Sequence, residues 1–273
     1  MALQSSGVIT LQDIHDEAGG TTNSTAQCSV DDADIRALIN RSAGGVQSFD
    51  DYYGAAAANT TSSIAGGGST TTNQFPNCNV SLSTGNKLVV VIPMIRIQSG
   101  SSLTNGPTSV TIGGQSATQR QMSNQNVAAS GYGHMNSIWT LETTLSGTQL
   151  VTGSTMSGTG NNSCIVYEIT GHTQATPHST SVASNYTGSA ATSDTIGVNT
   201  VSGGTVVMGI TASAPGNSST ITTSPSSTES QNSFSNLNHA AMRKDNTSAG
   251  TPTIFTISNT QSGFFNIVAA SFK

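Results

Sequence analysis

Charge is what this chain most lacks. Asp, Glu, Lys and Arg make up 8% of its 273 residues, against about a quarter in ordinary soluble domains. A surface so poor in ions must hold water through hydroxyls, amides and exposed turns. Basic residues are too few to form a stripe, which excludes the phosphate neutralisation that supplies most nucleic-acid affinity. Cysteine is limited to Cys28, Cys78 and Cys164, an odd and widely spaced set with no C-x-x-C pair and no histidine at metal-ligand spacing. That pattern predicts neither a zinc site nor a disulfide framework, and it fits assembly in a reducing cytosol. Cys164 reads as a small half-buried strand residue, and nothing in the sequence brings Cys28 to Cys78. Aromatic residues are 5% of the chain, with one tryptophan, so stacking platforms are scarce.

Long apolar runs are missing as well. The longest, Leu88 to Ile95, contains Pro93 and falls far short of the roughly eighteen residues of a membrane-spanning helix. The opening Met1-Ala2-Leu3-Gln4-Ser5-Ser6-Gly7 has no basic segment leading into an apolar stretch, so the expectation is cytosolic synthesis without a signal peptide and without membrane insertion. No G-x-S-x-G, H-E-x-x-H or glycine loop ending in Lys-Ser or Lys-Thr occurs. Disorder is disfavoured because 34% of residues are hydrophobic and gather in discrete runs.

What charge there is sits at one end. Residues 1–54 hold eight of the thirteen acids against Arg36 and Arg41, a net of −6, and the remaining residues carry +1. Three copies of one pattern account for much of this: Thr10-Leu11-Gln12-Asp13-Ile14, Ser29-Val30-Asp31-Asp32-Ala33 and Ser48-Phe49-Asp50-Asp51-Tyr52. Each places a hydroxyl residue three positions ahead of an aspartate, where apolar residues begin to recur. Such spacing predicts three helix starts, with the hydroxyl accepting an unpaired backbone N–H and the carboxylate resting at the positive helix end.

After Tyr53-Gly54 the composition turns to Ser, Thr, Gly and Asn. Residues 55–83 read as a linker. Residues 84–273 read as strands, since their apolar runs are short, β-branched and punctuated by turn residues: Leu88-Val89-Val90-Val91-Ile92 with Met94-Ile95-Arg96-Ile97, then Val110-Thr111-Ile112, Ile138-Trp139-Thr140-Leu141, Cys164 to Ile169, Ile196-Gly197-Val198, Val206 to Ile210, Ile254 to Ile257 and Phe264 to Val268. Pro93 suggests an edge, a bend or a change of sheet, and residues 212–250 read as long loops around a weaker strand. The predicted fold is mainly β, an antiparallel two-sheet β-sandwich (jelly-roll-like) preceded by a small N-terminal module of short helices.

The search for chemistry yields little. Glu142 and Glu168 are a conceivable glycosidase pair, but strand alternation sets Glu168 with Cys164 and Val166 and Glu142 with Thr140, outward positions in a two-sheet sandwich. No catalytic residue, metal or cofactor is expected. Trp139 reads as core. Tyr132, His134 and Tyr186 are the candidates for contact with a glycan. In the head, Ile14, Ile35, Leu38, Ile39, Phe49, Tyr52 and Tyr53 form an apolar set on helices too short to build a stable core alone, and are the candidate anchoring or oligomer contacts.

The opening through Ile14, the segment Asp32-Ala33-Asp34-Ile35-Arg36-Ala37-Leu38 and the segment Ser48-Phe49-Asp50-Asp51-Tyr52-Tyr53-Gly54 resemble the N-terminal module of many tail and other virion structural proteins of tailed bacteriophages, notably marine ones. More loosely, the stretches Ser109-Val110-Thr111-Ile112-Gly113-Gly114, Tyr167-Glu168-Ile169-Thr170-Gly171-His172 and Ala269-Ala270-Ser271-Phe272 resemble a β-sandwich found in predicted phage structural proteins. The resemblance implies a tail-associated protein (short fibre, baseplate or tail-tip component) in the virion, anchored by its head, with its sandwich toward the host surface. Its implied partners are other virion proteins of the tail or capsid and itself, as a homotrimer. A capsid decoration or head-fibre protein is the alternative. A tail-borne glycan-degrading enzyme is disfavoured by composition.

Overall fold

A computed structural model describes residues 3, 7–18, 29, 32–39, 47–52, 60–66, 74–97, 106–127, 132–155, 160–185, 190–213, 220–224, 228–234 and 237–273. The chain divides into two compact units, Met1–Asn59 and Thr60–Lys273. The first contains helices α1 (Leu11–Glu17) and α2 (Ala33–Leu38) and a 3-10 turn at Phe49–Tyr52.

The second unit is built of antiparallel strands, with no helix among its described residues: β1 (Thr60–Gly66), β2 (Cys78–Leu82), β3 (Lys87–Ile97), β4 (Val110–Ile112), β5 (Gln115–Ser116), β6 (Thr118–Val127), β7 (Tyr132–Thr143), β8 (Gly147–Gly153), β9 (Asn162–Thr170), β10 (Ser179–Ser184), β11 (Ala191–Thr200), β12 (Gly204–Ser213), β13 (Ile221–Ser224), β14 (Thr228–Phe234), β15 (Leu237–Thr247) and β16 (Gly250–Phe272). A central sheet has the order β1-β9-β3-β7-β6, a small sheet β2-β8-β4-β5, and a large sheet β10-β16-β12-β15-β14. The early half of β16 also pairs with β11 and β13, and its late half with β10 and β12.

Alternation along the central strands sets the layering. Leu88, Val90, Ile92, Met94, Ile165, Tyr167 and Ile169 pack against Val207, Val268, Ala270 and Phe272 of the large sheet. Their neighbours Val89, Val91, Trp139, Cys164 and Val166 pack against Val80, Val110, Ile112 and Val151 of the small sheet. The far face of the large sheet, including Met208, Ile210 and Ile267, is covered by Ile196, Val198, Ile221, Phe255 and Ile257. The body is therefore a stack of layers in which the central sheet is covered on both faces. The expected fold class holds as mainly antiparallel β, but two sheets are too few. A continuous apolar run such as Leu88–Ile92 is the sequence form of a strand with no solvent face, and each fully buried aliphatic side chain in it contributes about 1.5–3 kcal/mol.

Other expectations are corrected by the same pairing. Pro93 lies inside central strand β3, opposite Cys164 of β9, while the ladder to β7 passes from Val91↔Trp139 to Met94↔Asn136. The missing donor is accommodated by this gap in the ladder instead of at a sheet edge. Residues 55–83 are not all linker, because β1 extends the central sheet alongside β9 and β2 pairs with β8. Residues 212–250 contain β13, β14 and β15, and β15 runs between β12 and β14. Their polar composition concealed strands in which Ala240, Ala241 and Met242 supply the burial.

The seam between central and large sheets is polar in part. Asn136 Oδ1 accepts the Thr211 hydroxyl at 2.7 Å, and its Nδ2 donates to Asn266 O at 2.7 Å and Gly209 O at 3.3 Å. Asn266 answers from the other sheet: its Nδ2 donates to Ser123 O at 3.2 Å and His134 O at 3.3 Å, and its Oδ1 accepts the Ser123 hydroxyl. Two buried amides thus use their donors and acceptors on each other's sheets, which satisfies them and fixes how the layers register.

Candidate functional site

The head begins from its three capped turns. Thr10 and Asp13 form a reciprocal capping box on α1: the Thr10 hydroxyl accepts Asp13 N–H at 3.1 Å, and the Asp13 carboxylate accepts Thr10 N–H at 2.8 Å. The Thr10 bonds, side chain first, hold the Asp13 carboxyl below its ordinary value. Ser29 N–H donates to Asp32 Oδ2 at 2.8 Å, and Ser48 N–H to Asp51 Oδ2 at 2.8 Å. The predicted repeat is a repeated bond.

These turns direct the head's apolar side chains toward one another. Ile14, Ile35 and Tyr52 are fully buried in a cluster with Leu3 and Ile9, and Leu11, Ala18, Leu38 and Ile39 pack against it. Burial and the nearby Asp51 charge push the Tyr52 hydroxyl pKa up. The head closes a small core of its own, contrary to the expectation that it needs a partner to do so. Leu3 and Ile9, which precede the first helix and were not counted in the helical pattern, complete it. Among the anticipated anchoring residues, Ile14, Ile35 and Tyr52 are consumed inside and Leu38 and Ile39 flank the core. Phe49 is 45% exposed, and Val8, which sequence reasoning missed, is 83% exposed. Tyr53 lies outside the described residues.

On the body, His134 is the one residue anticipated for glycan contact whose side chain the structure describes. His134 is completely buried at the polar seam, where burial, then the neighbouring His239 and Arg96, push its pKa well below the ordinary value. It is not a surface contact. The strand alternation that places Ile95 and Ile97 around Arg96 gives Arg96 the partner His134 across the ladder, and the covering large sheet buries both. The side chain of Tyr132 and all of Tyr186 lie outside the described residues. Trp139 is core, as expected, its ring N–H donating to Ser137 Oγ at 2.9 Å.

The two glutamates have structural partners. Glu168 lies on the face of β9 predicted for it, but that face is covered by the small sheet. Its carboxylate is buried and accepts the Ser83 N–H at 2.9 Å and the Ser83 hydroxyl. Glu142 stays half exposed, accepting from Asn86 Nδ2 at 3.0 Å and lying 3.2 Å from His172 Nε2, bonds that lower its pKa. No group of three or more His, Cys, Asp or Glu able to hold a metal occurs among the described residues.

One surface cavity, of about 240 Å³, opens where the segment before β2 meets the end of β8, lined by Gln74, Phe75, Asn77, Gly153 and Thr155. The Phe75 ring covers Gly153 so closely that a Cβ there would come within 2.2 Å of it. Because Phe75 is itself buried, the cavity presents amides and a hydroxyl instead of a stacking face, a lining suited to hydrogen-bonding a polar ligand. Comparison with protein families, with curated proteins and with solved structures finds no match to this chain.

Proposed function

We propose that this protein is a structural component of a tailed-bacteriophage particle, tail-associated as a short fibre, baseplate or tail-tip component. Its acidic head anchors it to the virion and its β body meets the host surface. The observation that carries this reading is the division of labour in the chain: a separate head of three turns that share one backbone N–H-to-carboxylate bond, with net charge −6 over residues 1–54, and a large ion-poor stack of sheets. Because the head closes its own core, attachment falls to what it leaves outside, Phe49 and Val8 with the surrounding carboxylates. The closed core also removes the burial argument for a homotrimer, so other virion proteins are the partners this reading favours. Contact with a host glycan falls to the amide-lined cavity at Gln74 and Asn77 in place of His134.

The test is incorporation of the full-length protein into particles produced during infection. Phe49→Asp places a charge on the exposed ring position without entering the core, and is expected to reduce incorporation at least tenfold while the protein remains folded. Normal incorporation of a folded Phe49→Asp, Val8→Asp double variant would remove the head from the attachment role.

A further inference from the structure

Cys78 and Cys164 belong to different sheets and meet between them. Cys78 opens β2 of the small sheet, and Cys164 lies in β9 of the central sheet. Both side chains belong to the one apolar layer that joins the two sheets, Cys164 inside it and Cys78 packed against it, among Phe75, Val151 and Val166. Both are free thiols; Cys164 is fully buried and Cys78 only half so. Cys78 is therefore the more accessible residue of the two and Cys164 the enclosed one. That asymmetry is the arrangement of an attacking and a resolving cysteine.

We propose that Cys78 and Cys164 form a redox modification site, a reversible disulfide made after folding by exchange with a small-molecule disulfide of the glutathione class. The thiolate of Cys78 attacks one sulfur of oxidised glutathione. The oxidant's S–S bond breaks, a mixed disulfide forms on Cys78, and a glutathione thiolate leaves to take up the proton that Cys78 gave to water. The thiolate of Cys164 then attacks Cys78 Sγ, the mixed disulfide breaks, and the second glutathione leaves and is protonated in turn. Two protein thiols are oxidised and one glutathione disulfide is reduced to two thiols.

The electrostatics order the steps. The interaction with Cys164 lowers the Cys78 pKa, which favours the first attack, whereas that interaction and burial push Cys164 well above the ordinary thiol range. Once Cys78 is held in the mixed disulfide, burial alone still disfavours the Cys164 thiolate, and the second step quickens as pH rises. A reducing cytosol keeps the pair open and an oxidising medium closes it, so a particle released from a cell would acquire a covalent link between layers that its assembly did not require. The inference itself stands on the two thiols and does not depend on virion location.

The experiment incubates purified full-length protein with oxidised and reduced glutathione at fixed ratios, blocks remaining thiols, and maps peptides by mass spectrometry beside thermal melting. The expected result is a Cys78–Cys164 linked peptide, reversed by dithiothreitol, with the body's melting temperature raised by about 5–10 °C as for a disulfide closing a long loop. Cys164→Ser should halt at glutathione on Cys78, Cys78→Ser should give neither product, and Cys28→Ser should behave as the parent chain. Free Cys78 and Cys164 under oxidation that saturates an exposed thiol, or loss of the linkage in Cys28→Ser, would overturn the assignment.

Discussion

The backbone N–H of Ser29 donates to Asp32 Oδ2 at 2.8 Å, and the same bond at the same length joins Thr10 to Asp13 and Ser48 to Asp51. Three turns with one opening bond bring Ile14, Ile35 and Tyr52 into a single cluster. Each cap satisfies an amide that the short helix or turn cannot, and helices of six or seven residues have little cooperativity of their own to compensate for a lost one. Asp32→Ala is expected to cost about 1 kcal/mol, read as roughly fivefold faster amide hydrogen exchange over residues 33–38 in the full-length protein with no change in the body.

Where the central and large sheets meet, a Cβ on Gly209 would come 2.5 Å from Ile92 Cγ2, a methyl on a fully buried β-branched side chain. Neither strand has room to give. Gly209→Val should therefore destabilise the body by about 1–3 kcal/mol or more, as overpacking does, seen as a lower urea midpoint. An unchanged midpoint would mean that the layers are farther apart than described.

Asn136 joins the same two sheets by polar means, through Thr211 and the carbonyls of Gly209 and Asn266. Asn136→Leu keeps the branched shape but leaves the Thr211 hydroxyl without this acceptor and the carbonyls without this donor. A loss of about 1–3 kcal/mol is expected for leaving such groups unsatisfied. Pairing it with Thr211→Val should recover part of that loss, a coupling measurable in a double-mutant cycle.

Acid should weaken the body through its buried histidines. Burial, then the Arg96 charge, lowers the His239 pKa to about 3, and His134 is also held well below its ordinary value. In the unfolded chain both protonate near about pH 6.5. From there down to pH 3 the unfolded state binds protons that His239 in the folded state refuses, so each such imidazole costs about 1.4 kcal/mol per pH unit. Above pH 6.5 both states are neutral at these sites and stability from this source is complete. Urea midpoints should fall between pH 6.5 and 5, and His239→Gln should flatten that slope.

Sequence and structure agree most closely where residue spacing reports a local bond. The Thr10-to-Asp13 spacing foretold the capping box of α1, whereas Ser29 stands four residues ahead of α2 and Ser48 opens a 3-10 turn; the β-branched runs foretold β3, β4, β9, β12 and both halves of β16. Agreement fails where strand residues are small or polar. Within β15, Ala240 and Met242 face one layer and Ala241 the other, so the strand shows no polar face to mark a period of two, and alanines bury too little to stand out from a loop. The outward placement of Glu168 followed from correct alternation and an incorrect number of layers. His134 was misplaced for another reason: its glycine-flanked neighbourhood has the composition of a loop tip, whereas it lies inside strand β7. The Cys78–Cys164 contact links residues far apart in the chain and had no local signature to be read.

The central claim is that this chain is part of a phage particle, held by its head. Immunogold labelling of purified particles with an antibody raised against residues 84–273 tests it most directly. The account predicts gold at the tail, and its loss from particles grown with the Phe49→Asp variant. Label confined to the capsid would move the protein to a head-fibre or decoration role, and particles that carry neither label nor the protein's peptides by mass spectrometry would contradict the account outright.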